Sequence, residues 1–141
     1  MSSLSYKRKQ FLAASLLWAI ALTTSSFQSH DLMWKILPSE ALHAAAHIAA
    51  YGFFAYLISL WLLFARSFMT VRMTDARVLG IAFVLAVLWG CLNEGVQYYR
   101  PDRHADWLDV LCNAAGAAAG TGAYYLRKSF MDSRKRGGKK V

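Results

Sequence analysis

A chain of 141 residues has the length of one domain. Its apolar share of 57% and charged share of 17% lie on opposite sides of the soluble averages, roughly 45–50% and about 25%, which argues against a water-soluble enzyme with a large core. The net charge of +8 would suit nucleic acid or anionic lipid. However, the charges gather at the ends and connectors of long uncharged runs and no nucleic-acid module is present, so nucleic acid is not an expected partner.

In chain order, residues 1–10 form a basic N-terminus with Lys7, Arg8 and Lys9. Phe11–Phe27 is the first span candidate. It is short for a bilayer that needs about 20 apolar residues, and a signal peptide is the competing reading. We expect a retained span. Residues 28–40 read as a loop in which Met33-Trp34 suits an interfacial anchor and Pro38-Ser39-Glu40 a helix start, with Ser39 as N-cap. Ala41–Ala65 is the second span. Residues 66–77 form a connector with Arg66, Arg72, Arg77 and Asp75, and Val78–Tyr99 is the third span. A polar hairpin holds Arg100, Asp102, Arg103, His104 and Asp106, and Trp107–Leu126 is the fourth span. The basic tail, 127–141, is expected to fray or stay disordered. The two cysteines, Cys91 and Cys112, lie in apolar runs and read as buried thiols. No zinc-type spacing is present.

The fold expected is all-α, an integral membrane bundle of four transmembrane helices over 11–126. Lysine and arginine count thirteen in the termini and the 66–77 connector, against three in the 28–40 loop and the hairpin. Positive charge marks the cytoplasmic side. Both termini are therefore expected inside a bacterial inner membrane, with loop and hairpin outside.

In this topology the polar residues of three spans converge on the outer face. His47 lies early in span two, Glu94 and Gln97 end span three, and Asp106, Asp109 and Asn113 open span four. Helical spacing sharpens the pattern. Glu40, His43, His47 and Tyr51 share one face, as do Asp109, Asn113, Gly116 and Gly120. An ionisable group in hydrocarbon costs about 2.5–3.5 kcal/mol or more, so Glu94 should face the bundle interior, where such a group is a functional candidate. His47, Glu94, Gln97, Arg103, Asp109 and Asn113 form the expected cluster, with Tyr51, Arg100 and Asp106 around it. His43 and His104 are set aside as incidental. Gly116 and Gly120 read as a small-xxx-small packing surface.

Three chemistries are open to these residues. Arg100 and Arg103 suit a phosphate or carboxylate. His47 with Glu94 or Asp109 suits acid–base work. His47, Glu94, Asp106 and Asp109 offer metal donors, but no recognised ligand spacing supports a metal and no cofactor is expected.

The order of these residues resembles the VanZ-like family of small bacterial membrane proteins. The resemblance rests on His47 and Tyr51, Glu94-x2-Gln97, Arg103, and Asp109-x3-Asn113-x2-Gly116-x3-Gly120, and it covers about residues 40–126. One departure stands out: His43-Ala44 occupies the place of the family's frequent Asp-Lys pair, so any contact made by that lysine is missing here. The resemblance implies a multi-span envelope protein linked, through the founding member, to resistance to the glycopeptide teicoplanin. It implies no defined reaction. Three readings follow: recognition of an anionic or lipid-linked envelope component such as a cell-wall precursor; an enzyme acting on a lipid-phosphate or glycan group with His47 and an acid; and a structural helper of other envelope proteins.

Overall fold

The computed structural model describes residues 3–70, 73–99 and 106–137. Four long helices and one short one make up these residues, with no strand among them. They are α1 (Ser3–Ser26), α2 (His30–Ile36), α3 (Glu40–Ala65, continued by a 3-10 turn over Arg66–Phe68), α4 (Asp75–Tyr98) and α5 (Trp107–Gly137). The chain is an all-α bundle, as its hydropathy pattern predicts.

The helix starts follow from local chemistry. Ser39 is extended at φ −153° and ψ 150°, and its side chain accepts the Leu42 N–H at 3.3 Å. Thr74 caps α4 by accepting the Arg77 N–H at 3.3 Å, and Asp75 places a negative charge at the positive end of that helix. Pro38 explains the break between α2 and α3. A residue before proline is pushed out of the helical region, and Leu37 sits at φ −123° and ψ 84°. The stretch expected as a loop therefore contains α2, capped by Ser29.

Helix α3 touches α1, α4 and α5, whereas α1 and α5 do not meet among the described residues. The core joins Ala19 and Leu22 of α1, Tyr51, Phe54, Ala55, Ile58 and Leu62 of α3, Val78, Ala82 and Ala86 of α4, and Ala117 of α5. Alanines at the contacts let the axes approach closely. On the α1 side, the Trp18 indole N–H donates to the Ala50 carbonyl at 2.9 Å and its ring meets Phe53 edge-on.

Glycine sets the α3–α5 approach. A Cβ at Gly116 would stand 2.9 Å from the Ile48 Cα and 3.0 Å from its carbonyl carbon. One at Gly120 would stand 2.7 Å from the Gly52 carbonyl carbon. Real side chains do not come that close to backbone, so only hydrogen fits. The pair forms the packing surface expected from its spacing, and Gly52 is its partner on α3.

The buried stripe of α4 changes chemistry along its length. Val78, Ala82, Ala86 and Gly90 line one end, and Asn93, Glu94 and Gln97 continue the same face at the other. The opposite face stays apolar and outward: Val84, Leu88 and Leu92 are 50–62% exposed. Two helical segments, Glu40–Phe68 and Asp75–Tyr98, are long and apolar enough to cross a membrane.

Two expectations are corrected here. The described part of the tail does not fray, because α5 runs on to Gly137, and residues 138–141 lie outside the described residues. Residues 127–136 contain no glycine or proline, and side chains anchor the extension. Arg127 Nη1 donates to the Tyr56 hydroxyl at 2.6 Å, and Lys128 pairs with Asp75. Cys91 is exposed on the outward face rather than buried. Cys112 is buried, and both thiols are free.

Candidate functional site

The polar residues meet at the end of the bundle built from the C-terminal ends of α1 and α4 and the N-terminal ends of α3 and α5. They line a cavity of about 450 Å³. Helix α2 covers one side of it with Met33. Glu40, His43, His47 and Tyr51 come from α3, Glu94 and Gln97 from α4, and Asp109 from α5, with Asp106 just before it. The described lining therefore holds four carboxylates and two histidines, with no lysine or arginine. Arg100, Arg103 and His104 lie outside the described residues.

At the floor of the cavity, His47, Glu94 and Asp109 each present one donor atom, and the three atoms lie within 4.8 Å of one another. His47 Nε2 is 3.7 Å from Asp109 Oδ2. Glu94 is 4% exposed. Asp109 sits in the first turn of α5, where the helix dipole favours its charge. Asp106 starts that helix, its carboxylate accepting the Leu108 N–H at 2.9 Å.

Asn113, 1% exposed, lies one turn beyond Asp109, and its Oδ1 is 2.8 Å from His47 Nδ1. Its Nδ2 is buried without a hydrogen-bond partner among the described residues. Gly90 makes room for this side chain, because a Cβ there would stand 3.0 Å from Asn113 Nδ2.

A second polar chain runs beside the first. Asn93 donates to the Tyr51 hydroxyl at 2.9 Å and accepts from Thr23 Oγ1 at 3.2 Å. It ties α1, α4 and α3 together, and the His47–Asn113 bond ties α3 to α5. The Tyr51 and His47 rings lie parallel, 6.4 Å apart.

The profile of the VanZ/LLP1 family matches residues 3–128, which takes in all of α1 to α4 and most of α5. The chain belongs to the VanZ/LLP1 family. No curated protein and no solved structure matches it.

The structure of this VanZ-family chain brings together His47, Tyr51, Glu94, Gln97, Asp106, Asp109 and Asn113. It also brings in His43, which shares the His47 face in the sequence but reads there as incidental. His43 lines the cavity with its Nδ1 3.1 Å from the Ser39 carbonyl oxygen. Sequence reasoning missed Asn93 and Gly90. Asn93 had a signal, as a polar residue mid-run beside Glu94. Gly90 had none, because its role depends on which side chain lies opposite.

The hydrogen bond to Asn113 decides what His47 can do. An amide oxygen only accepts, so Nδ1 carries the proton, and in the neutral ring Nε2 keeps its lone pair. That lone pair is on the side of Asp109 and Glu94. The floor can thus accept protons from a ligand, bind a cation, or orient a base.

Proposed function

We propose that this VanZ-family protein spans the bacterial cytoplasmic membrane four times, with both termini inside. Its outward-facing cavity takes the polar head of an envelope lipid or lipid-linked precursor. The observation that carries this reading is a His–Glu–Asp floor, with Glu94 buried and His47 and Asp109 half-buried, at the end of a bundle with an apolar core. Such groups are costly in hydrocarbon, and they cluster where a polar ligand is handled. The outward leucines and valines of α4 and the charge asymmetry between the two ends support the membrane setting. The packing of Trp18 against α3 supports a retained first span. Arg100 and Arg103, which follow α4 and precede α5 in the sequence, carry the positive charge that a phosphate head calls for. Link to glycopeptide resistance is the phenotype that family membership suggests.

A second reading is favoured by the His47 geometry. A ring pinned at Nδ1, with Nε2 toward two carboxylates, is the arrangement of a general base. An enzyme acting on a lipid-phosphate or glycan group would use it.

The test uses the full chain in proteoliposomes with a fluorescent polyprenyl phosphate as probe. We expect saturable binding that weakens tenfold or more in Glu94→Gln and His47→Ala variants of unchanged helix content. Release of phosphate by the wild type, lost in both variants, would establish the enzyme instead. Binding unaltered in both variants would refute recognition at this floor. Bacteria expressing each form, scored for teicoplanin susceptibility, connect the site to the phenotype.

A further inference from the structure

We propose that His47, Glu94 and Asp109 form a binding site for one divalent transition metal ion of the zinc or manganese class. The ion would leave one coordination position open to the cavity. The donor set suits it: an imidazole nitrogen and two carboxylates are borderline-to-hard ligands of these metals. Each residue comes from a different helix, so the bundle fixes three ligands independently of any flexible loop. Three protein ligands with an open position match sites where metal meets substrate rather than sites that only hold a fold.

The distances accommodate one ion between the donors. The separation of 3.7 Å between His47 Nε2 and Asp109 Oδ2 is too long for a hydrogen bond. Two donors each about 2.1 Å from one ion stand about 3.4 Å apart in tetrahedral geometry and about 4.2 Å apart at opposite corners of an octahedron. The value of 3.7 Å falls within that interval, and from the 4.8 Å upper bound on the donor separations side-chain rotation has at most about 1.4 Å to close to reach tetrahedral spacing.

Asn113 supplies an independent observation. Metal-bound histidines donate their other ring N–H to a fixed acceptor, which sets the tautomer and aims the lone pair. His47 Nδ1 lies 2.8 Å from the buried Asn113 Oδ1, and Nε2 is the atom turned toward the carboxylates. With His47 neutral, the three ligands carry two negative charges and a dication brings the set to neutrality, which suits a low-dielectric surrounding.

The use of such an ion rests on the function proposed above. A phosphate oxygen of the lipid head would take the open position, so an anion could bind against a wall that carries four carboxylates. The site itself stands on the donor geometry alone.

The experiment uses the full chain in detergent, stripped with EDTA and titrated separately with Zn2+, Mn2+ and Co2+. One equivalent should bind, with Co2+ giving the visible spectrum of a nitrogen–oxygen site. His47→Ala, Glu94→Gln and Asp109→Asn should each weaken binding by a hundredfold or more. Asn113→Ala should weaken it about 10–100-fold, whereas Gly122→Ala, whose added Cβ would meet nothing within 4 Å, should leave it unchanged. Glu94→Gln and Asp109→Asn are near-isosteric, and helix content confirms folding, so they keep the test decisive if His47→Ala misfolds. No stoichiometric binding by the wild type, or binding indifferent to the two near-isosteric variants, overturns the site. The polyprenyl phosphate titration with and without EDTA separates the two proposals. Lipid binding that survives metal removal sinks the metal bridge alone. Metal binding without lipid binding sinks the recognition reading alone.

Discussion

Gly116→Ala tests whether the α3–α5 crossing holds the site together. The added methyl would stand 2.9 Å from the Ile48 Cα and 3.0 Å from its carbonyl carbon, with the carbonyl oxygen closer still. Ordinary contact begins at 3.4 Å, so the two backbones must separate by about 1 Å at this point. Overpacking of this kind costs about 1–3 kcal/mol. Ile48 adjoins His47, and Asn113 lies one turn from Gly116, so the separation also acts on the 2.8 Å His47–Asn113 bond. Stretched by about 1 Å, that bond is lost, at a further cost of about 1 kcal/mol in a membrane bundle. The expected destabilisation is therefore about 2–4 kcal/mol, measured by denaturant unfolding in mixed micelles. Gly122→Ala is the control. It lies on the same helix, its Cβ would meet nothing within 4 Å, and it should be neutral or stabilising by up to about 1 kcal/mol. Equal stability of the Gly116→Ala and Gly122→Ala proteins would refute the close-approach reasoning.

Tyr51→Phe removes the acceptor of Asn93 Nδ2 but keeps the ring beside His47. It should cost about 0.6–1.7 kcal/mol and leave metal affinity within about twofold; a large loss of affinity would show that the two polar chains are not separate. Asp75 governs a pH dependence at the opposite end of the bundle. The Lys128 ammonium, and after it the Arg66 guanidinium at 2.6 Å, hold this carboxyl below its usual range. A lowered folded pKa gives stability that is present above the unfolded value, about 3.9, and lost as pH falls through the folded one. The carboxylate is 37% exposed, so solvent screening limits the effect to about 0.2–1 kcal/mol. Unfolding measured from pH 6 to pH 3 should show this loss in the wild type and not in Asp75→Asn; identical profiles would assign the acid sensitivity to other groups.

Much of the site was legible because helical spacing records which residues share a face. Asp109, Asn113, Gly116 and Gly120 recur at intervals of four, three and four, and the structure uses the first two at the floor and the last two at the crossing. Ser39 was legible as a cap because a serine after Pro38 and before a helical run has a local partner in the Leu42 N–H. The tail was misread because composition reports how little apolar area a segment can bury, whereas the start of this extension is held by specific partners on other helices, Arg127 by Tyr56 and Lys128 by Asp75. Cys91 was misread for a related reason: in a bundle whose outward face is apolar, an apolar run does not reveal which side of it is inside.

The sequence by itself determined the all-α class, the order of the long helices, the family, and the gathering of ionisable residues at one end. These follow from hydropathy, charge placement and helical period, which are properties of neighbouring residues. Only the tertiary structure decided the rotation of each helix about its axis. That rotation put Asn113 against His47 rather than against Glu94, set Gly52 opposite Gly120, and fixed the 3.7 Å gap between His47 and Asp109. It is set by packing between helices far apart in the chain, where a single methyl group changes the distance of approach.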